Sequence, residues 1–237
     1  MKLLIKFPTR SRPQKCIRVL NEYIRNAQED IHFLVTLDED DETVTPSFLE
    51  SLSRIQNCTY VIGQSKGKID ACNRDMKFAP SFDILLLASD DMIPVVHGYD
   101  KIIRDAMRTF YPTTDGVLWF NDGYRGQSLN TLCILGRKYY DRFGYIYYPE
   151  YKSFYCDNEF MEVAESLGKQ TYFSDVIIRH EHPFNTKENP DELYIANEVH
   201  MEHDRCLFVA RRHHQYPHKS PAFRVVKNGF QTMIQFT

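Results

Sequence analysis

The stretch that decides the fold is Ile84-Leu85-Leu86-Leu87-Ala88-Ser89-Asp90-Asp91. Its first five residues form the most continuous apolar run in the chain, which is typical of a central parallel strand covered on both faces. The run ends at two carboxylates. Because ligands of open α/β sheets bind at the carboxyl ends of the strands, we expect a functional site at Asp90 and Asp91.

Strand and helix patterns alternate on both sides of this run. Apolar residues at 3–7 and 31–37 predict two more strands, and the apolar spacing between them indicates an amphipathic helix. Further elements are predicted as a strand at 60–62 and helices at about 69–78 and 98–110. This alternation is typical of an α/β fold.

The second half of the chain is less regular. Strands are predicted at 117–120, 130–135 and 176–178, and helices at 137–143, 157–167 and about 191–210. With 237 residues, 43% of them hydrophobic, the chain is long enough for one sizeable core. We expect one domain with a small C-terminal extension.

Composition excludes several classes of protein. The six cysteines include no C-x-x-C pair, which argues against a zinc ribbon or a disulfide scaffold. No stretch approaches the roughly 18 apolar residues that span a bilayer, and the apolar run at 3–5 is too short for a signal peptide. We expect a soluble, cytoplasmic protein without a transmembrane segment.

Charge is distributed unevenly along the chain. The formal net charge is −3, but no Asp or Glu follows Asp204, and the basic residues after it are Arg205, Arg211, Arg212, Lys219, Arg224 and Lys227. With its interleaved aromatic residues, this end suits contact with a polyanionic acceptor or surface. The alternative is that the aromatic residues pack the tail onto the acidic body and the charges pair within the molecule.

The carboxylates and histidines suggest a metal site. Asp90 and Asp91 repel one another unless a cation or a basic group lies between them, and a divalent cation that also binds a diphosphate meets that need. His180 and His182 lie on one face of an extended segment, so one imidazole can complete a Mn²⁺ or Mg²⁺ site. The alternatives are an exposed turn or helix cap and two histidines on a solvated strand end.

A third group of residues is Asp157-Asn158-Glu159, at the start of a predicted helix and after the aromatic-rich stretch 145–155. Carboxylates in a first turn stabilise a helix through its dipole. Held among aromatic residues, Asp157 can instead accept a proton from an acceptor hydroxyl, and Glu159 is the next candidate for that role.

Basic residues lie at similar junctions. Arg10 follows the first strand, and Lys68 lies at the start of a helix. Either can bind a donor phosphate through its charge and through a helix N-terminus. Surface solvation is the alternative for each one taken alone.

The order of these motifs carries a resemblance. They are Phe7-Pro8-Thr9-Arg10, Asp38, Lys68-x-x-Ala71-x-Asn73, Leu87-x-Ser89-Asp90-Asp91, Cys156-Asp157-Asn158-Glu159 and His180-x-His182-Pro183. Over about residues 2–210, their order and spacing resemble those of family 2 glycosyltransferases of the GT-A fold. The resemblance implies a Rossmann-like, mostly parallel sheet flanked by helices, with a helical C-terminal extension.

The same resemblance implies a division of the chain. Residues 1–210 would form the GT-A domain, in which 1–100 bind the nucleotide-sugar and 101–210 provide the acceptor-binding and catalytic half. Residues 211–237 would form the basic C-terminal extension.

Site roles are also implied by the resemblance. Those on the donor side are Thr9 and Arg10 in the nucleotide pocket, Asp38 on the base or ribose, Lys68 and Asn73 near the donor, and Asp90 in the family's D-x-D motif. Asp91 and either His180 or His182 would bind the metal, and Asp157 would be the catalytic base. Two departures are Ser89, where a strict D-x-D has its first Asp, and Cys156, which replaces the Glu of the family's Glu-Asp motif.

The implied activity is that of a metal-dependent, inverting glycosyltransferase. It would use Mn²⁺ or Mg²⁺ and move a sugar from a nucleotide-diphosphate-sugar, by default a UDP-sugar, to a hydroxyl of a glycan, lipid-linked saccharide, protein or nucleic acid. One alternative is an inert nucleotide- or sugar-binding module, which needs no base at Asp157. Another is a nucleotidyltransferase, which the absence of glycine from residues 8–13 disfavours.

Overall fold

The computed structural model describes residues 1–186, 192–216, 223–228 and 231–236, the last two ranges as backbone alone. The strands are β1 (Leu3–Thr9), β2 (Ile31–Asp38), β3 (Cys58–Gly63), β4 (Ile84–Leu87), β5 (Met92–Pro94), β6 (Val117–Phe120), β7 (Ile134–Gly136), β8 (Gln170–Phe173), β9 (Ile178–His180), β10 (Phe223–Asn228) and β11 (Gln231–Phe236). The helices are α1 (Pro13–Asn26), α2 (Pro46–Ser53), α3 (Lys68–Asn73), α4 (Tyr99–Phe110), α5 (Arg137–Phe143), α6 (Cys156–Ser166), α7 (Pro183–Thr186), α8 (Glu192–Glu198) and α9 (Met201–His213).

A seven-stranded sheet with the order β3-β2-β1-β4-β7-β6-β8 forms the centre of the molecule. β1 pairs in parallel with β2 and β4, β2 with β3, and β6 with β8, whereas β7 is antiparallel to both of its neighbours. The predicted α/β fold with a mostly parallel sheet and C-terminal helices is confirmed. Because these strands are parallel, the carboxyl ends of β1, β2 and β4 lie side by side along one edge of the sheet. We call this line of strand ends the donor edge.

Two apolar cores lie on opposite faces of this sheet. Alternate residues of β1 point to opposite faces, so Ile5 joins one core and Leu4 the other. α1 begins with Pro13 at its first turn, where a missing N–H costs nothing. The buried face of α1 packs into the first core, where Tyr23 and Tyr99 of α4 meet edge to face at 5.4 Å.

Several predicted boundaries were wrong. The helix expected at 69–78 ends at Asn73, because Asp75 adopts a left-handed conformation with φ 72° before a short 3₁₀ turn. The strand expected at 130–135 is confined to β7, and that expected at 176–178 is β9, two residues later. The single helix expected at 191–210 is two helices, α8 and α9, separated by a turn.

Short elements escaped the sequence analysis altogether. They are α2, β5, β8, α7 and the antiparallel pair β10–β11. Three or four residues, as in β5 and β8, are too few for a periodic pattern to emerge.

The position expected for the boundary between the GT-A domain and the C-terminal extension, between residues 210 and 211, falls inside α9.

Two predicted absences can be compared with the structure. None of the six cysteines, all of which lie in the described ranges, forms a disulfide bond. Within the described ranges of the chain, no helix is both long and apolar enough to cross a bilayer.

Candidate active site at the donor edge

Asp90 lies just beyond β4 and is 4% exposed. Its Oδ1 accepts a hydrogen bond from Arg12 Nη1 at 3.0 Å and lies 3.5 Å from Lys15 Nζ. Burial raises the pKa of Asp90, and the charge of Arg12 opposes that shift. The basic N-terminal end of α1 therefore supplies the positive charge that this carboxylate needs.

Asp91 has different surroundings, although it is equally buried. Its Oδ1 accepts a hydrogen bond from Ser89 Oγ, and its Oδ2 accepts one from Tyr194 Oη at 2.6 Å and lies 3.6 Å from His180 Nε2. Burial opposes ionisation, but His180 and the two hydroxyl groups outweigh it and hold the pKa of Asp91 well below its usual range. Asp91 is therefore an ionised carboxylate beside an imidazole.

A two-stranded ribbon brings His180 to Asp91. β5 pairs antiparallel with β9, so Met92 lies opposite His180. The Glu181 N–H donates to the Asp91 carbonyl at 2.7 Å, and the His180 N–H donates to the Asp122 carbonyl at 3.0 Å. Within the described residues, the buried His180 Nδ1 has no hydrogen-bond partner. The backbone therefore fixes a contact between residues far apart in sequence.

His182 lies farther along the same segment. Its ring centroid is 5.8 Å from that of His180 and 4.8 Å from that of Tyr194. Burial, with a contribution from His180, lowers the pKa of His182 to about 4, so the imidazole is neutral at neutral pH, the state that binds metals. His182 stays a predicted ligand, whereas His180 is the histidine that faces Asp91.

The residues present fit part of a metal site. Asp91 and His180 offer the oxygen and nitrogen ligands that suit Mn²⁺, and the buried His180 Nδ1 has no hydrogen-bond partner among the described residues. No cluster of three or more metal-binding side chains occurs in the part of the chain that the structure describes. A cation here would need further ligands from a diphosphate or from water, as Mg²⁺ commonly takes in phosphate sites.

Asp38, at the end of β2, forms the centre of a second charged cluster. Its carboxylate accepts hydrogen bonds from Arg10 Nη1 at 3.0 Å, from Arg74 Nη2 at 3.4 Å and from Ser65 Oγ. Arg10 also forms a two-bond pair with Asp40, at 2.6 and 3.0 Å. Thr9, the last residue of β1, lies beside Arg10.

This cluster borders an open cleft. Glu39, Asp40, Gln64 and Ser65 line it. A Cβ at Gly63 would lie 2.5 Å from Arg74 Nη1, so a larger residue there would require the end of the Arg74 side chain to shift. The lining of the cleft is therefore polar and acidic, next to the Asp38 cluster.

Asn73 and Lys68 both belong to α3 but differ in their surroundings. Asn73 Nδ2 donates to the Tyr147 carbonyl at 2.7 Å, and its Oδ1 accepts from the Ile146 and Tyr147 N–H groups at 2.9 and 3.1 Å. Lys68 is exposed, and its charge acts on Asp157. Asn73 thus ties α3 to the chain that leads to α6, whereas Lys68 faces the site.

Asp157 lies in the first turn of α6, after Tyr155, whose left-handed φ of 60° turns the chain into the helix. Its Oδ1 accepts a hydrogen bond from the Asn158 N–H at 2.9 Å. Burial raises the pKa of Asp157, and the charges of Lys68 and His180 act against that shift. A carboxylate with a raised pKa is a better proton acceptor than an ordinary one.

Glu159, the second candidate base, has a different role. Its two oxygens accept hydrogen bonds from Arg211 Nη2 and Nε, both at 2.7 Å, and Tyr151 Oη donates to it at 2.8 Å. The Arg211 guanidinium also lies 3.2 Å from the centre of the Tyr148 ring. This ion pair holds the Glu159 carboxylate and argues against the expectation that Glu159 is the next candidate for the base.

The basic C-terminal end is internally paired where the structure describes it. Arg211 is 1% exposed, and Arg212 Nε lies 2.9 Å from Glu162 Oε2. For these two arginines, the geometry matches charge pairing within the molecule rather than contact with a polyanion. Lys219 lies outside the described residues.

Sequence reasoning missed several residues of the site. Arg12 lies two residues beyond Arg10, and its pairing with Asp90 was not expected. Tyr194 and Arg74 carried no signal, since neither belongs to a recognisable motif. The Arg12 guanidinium lies 4.5 Å from the centre of the Tyr194 ring, so Tyr194 contacts both Asp91 and the partner of Asp90.

Comparison with known proteins adds evidence about the fold. No protein-family model matches the sequence, and no curated protein matches it significantly. Among solved structures, the mannosyltransferase PcManGT from Pyrobaculum calidifontis, in complex with GDP-Man and Mn²⁺, matches with a TM-score of 0.67 and 14% identity. That match covers 93% of this chain and 66% of the mannosyltransferase, so this chain spans slightly less than two thirds of that enzyme.

Two further structures match over most of the chain. Residues 1–349 of S. aureus TarS, in complex with UDP-GlcNAc, match with a TM-score of 0.59 and 16% identity, over 90% of this chain and 72% of that one. Glucosyl-3-phosphoglycerate synthase from Mycobacterium tuberculosis, in complex with Mn²⁺, UDP and phosphoglyceric acid, matches with a TM-score of 0.58 and 10% identity, over 100% and 86%. At these identities the likeness concerns the fold alone, and the chain has a GT-A-like glycosyltransferase fold.

Proposed function

We propose that this protein is an inverting, metal-dependent glycosyltransferase that moves a sugar from a nucleotide-diphosphate-sugar, by default a UDP-sugar, to an acceptor hydroxyl. The observation that carries the proposal is the arrangement around His180, whose Nε2 lies 3.6 Å from Asp91 Oδ2 and whose charge acts against the rise of the Asp157 pKa. The cluster around Asp38 lies at the same edge of the sheet. In this proposal, the donor-binding groups and the proton acceptor would act near the same edge of the sheet.

The donor nucleotide would bind at the cleft beside Asp38. Asp38 would accept hydrogen bonds from the ribose or the base, with Thr9 and Arg10 along one side. Arg10, now paired with Asp40, and the exposed Lys68 carry the positive charge that a diphosphate requires. Asp90 would hold Arg12 at this edge through their ion pair. Asn73 would act indirectly, by fixing the backbone of residues 146–147.

Asp91 and His180 would hold a Mn²⁺ or Mg²⁺ ion, with His182 as an additional candidate ligand. When bound, the ion supplies positive charge that stabilises the departing diphosphate. Ser89 and Tyr194 would orient the Asp91 carboxylate through their hydroxyl groups. The relatives solved with Mn²⁺ support this assignment.

Asp157 would act as the general base. Its carboxylate takes the proton of the acceptor hydroxyl while that oxygen forms a bond to the anomeric carbon, and the bond from this carbon to the diphosphate oxygen breaks. A single displacement of this kind inverts the anomeric configuration. The raised pKa of Asp157 matches the task, because base catalysis improves as the pKa approaches the working pH.

A panel of nucleotide-sugars tests the proposal. Thermal stabilisation by one donor and its Mn²⁺-dependent hydrolysis are expected, and NMR of the transfer product should show an inverted anomeric centre. Stabilisation without any turnover would indicate the inert binding module instead. Release of pyrophosphate from a nucleoside triphosphate and a sugar phosphate would indicate a nucleotidyltransferase, and either outcome would overturn the proposal.

A further inference from the structure

α9 carries two buried charged side chains that belong to neither of the clusters described above. Asp204 is 0% exposed and Arg211 is 1% exposed. They are seven residues apart, which places them on the same face of the helix, two turns from each other. Both point at residues 151–159, which we call the base segment because it contains Asp157.

Asp204 organises the first part of the base segment. Its carboxylate accepts hydrogen bonds from three consecutive backbone N–H groups: Lys152 at 3.0 and 3.1 Å, Ser153 at 2.7 Å and Phe154 at 2.8 Å. His203 Nδ1 lies 2.9 Å from the same carboxylate. A buried carboxylate is tolerated only with such partners, and three converging amides fix the path of the backbone.

Arg211 holds the other end of the base segment. It binds both oxygens of Glu159, two residues beyond Asp157. Asp157 therefore lies between two anchors, the amides of residues 152–154 on one side and Glu159 on the other. The hydrogen bond to its own carboxylate comes from the adjacent Asn158 N–H, so the direction of the carboxylate follows the direction of the backbone.

We propose that Asp204 is a positioning residue for the reaction, which sets the carboxylate of Asp157 through the backbone of residues 152–154. This inference rests on the proposed function, since it concerns the proposed base. Directional hydrogen bonds hold a backbone more narrowly than apolar contacts do, and a misplacement of about 1 Å can lower a rate by roughly 10²-fold.

The test compares two equally buried aspartates. Asp204→Asn keeps the shape of the side chain but turns one acceptor oxygen into an NH₂ group that faces backbone donors. The matched control is Asp100→Asn. Asp100 is also 0% exposed, accepts the Gln28 and Glu29 N–H groups at 2.8 and 3.0 Å, and pairs with Arg104 away from the site.

Both variants should lose thermal stability. At a temperature where both are folded, Asp204→Asn should lower kcat for sugar transfer by about 10- to 100-fold with little change in donor KM, whereas Asp100→Asn should leave kcat and KM unchanged. Equal kcat values for the two variants would overturn the inference. Should Asp204→Asn not fold, Asp204→Glu keeps the charge, displaces the carboxylate by one methylene, and is held to the same kcat criterion.

Asp157→Asn, measured in parallel, separates this inference from the proposed function. Retained transfer in that variant would show that the base is misassigned. Abolished transfer in Asp157→Asn, together with wild-type kcat in Asp204→Asn, would leave the proposed function intact and refute the positioning role alone.

Discussion

The donor edge and the base segment are both charged, but they are built differently. At the donor edge, Asp38, Asp90 and Asp91 lie at or just beyond strand ends, and the loop after β1 supplies Arg10 to Asp38 and Arg12 to Asp90. The base segment is held by α9, through Asp204 and Arg211, about 50 residues farther along the chain. The pairs of Asp38 and Asp90 with residues that follow β1 thus join neighbouring strand ends of the sheet. The base segment depends on how a late helix docks, as does the hydrogen bond from Tyr194 of α8 to Asp91.

This difference predicts which substitutions the protein should tolerate. At the cleft, the Arg10–Asp40 pair is open to solvent, with side chains 36% and 71% exposed, so water or ligand oxygens can replace this pair if it is lost. Glu159 and Arg211 are enclosed, and removal of either one leaves an uncompensated buried charge. We therefore expect donor-edge substitutions to change binding, and substitutions around the base segment to change turnover or stability.

The largest effect on activity is expected from Asp157→Asn. The substitution keeps the size of the side chain but removes its basicity, so transfer should fall by about 10²- to 10⁴-fold. Donor binding, measured by calorimetry, should be nearly unchanged, since Asp157 makes none of the proposed contacts to the donor. Retention of more than about a tenth of wild-type turnover would show that the base is elsewhere.

The largest effect on stability is expected from Arg211→Gln. Loss of the guanidinium leaves Glu159 buried without its ion-pair partner, which costs about 3–5 kcal/mol and should lower Tm by roughly 10 °C in a chain of this length. The matched control is Arg212→Gln, whose pair with Glu162 is 62% exposed on the arginine side. Differential scanning calorimetry should show a change of at most about 1 kcal/mol in the control.

The same two variants sharpen the assignment of the basic end. If the arginines pair within the molecule, the acceptor KM and its salt dependence stay unchanged in both variants. A raised acceptor KM in Arg212→Gln, at full stability, would instead support contact with a polyanionic acceptor. Lys219→Gln extends the comparison to the part of this end that the structure does not describe.

A third prediction concerns the donor edge. Binding of UDP should require Mn²⁺ or Mg²⁺, and Asp91→Asn should weaken metal-dependent binding by at least about tenfold. Calorimetry with UDP, with and without excess chelator, measures both effects. The control is Asp175→Asn, an exposed loop carboxylate away from both regions. Equal UDP affinity in the presence and absence of chelator would contradict a metal site at this edge.

The smallest expected effect is a shift in the pH dependence of kcat. Burial raises the pKa of Asp157, and only the ionised carboxylate can accept a proton, so activity should be present above that raised pKa and lost as the pH falls through it. The acid limb of kcat should therefore lie above the ordinary aspartate pKa of about 3.9. A limb at or below that value would contradict the assignment.

Lys68 links the two regions in this experiment. Its charge opposes the rise of the Asp157 pKa, so Lys68→Gln should move the acid limb of kcat to higher pH. An unchanged limb would indicate that Lys68 does not act on the base.

Much of the fold was readable from the sequence. The buried run at 84–88 and the strands before it were visible because an apolar strand between two layers of helices needs consecutive apolar residues. The order of Asp38, Asp90-Asp91, Asp157 and His180 along the chain indicated which residues to consider. This order did not indicate the distances between their side chains, since residues far apart in sequence can lie at any position along the edge of the sheet.

By itself, the sequence determined the α/β class and the strand ends at which charged residues gather, because periodicity and local composition express burial directly. The resemblance of its motifs implied the mostly parallel sheet. Only the tertiary structure decided the partners. It placed His180 rather than His182 against Asp91, committed Glu159 to Arg211, and brought Tyr194 and Asp204 to the two regions. Such choices depend on hydrogen bonds and ion pairs between distant segments, which leave no periodic trace in the residues that make them.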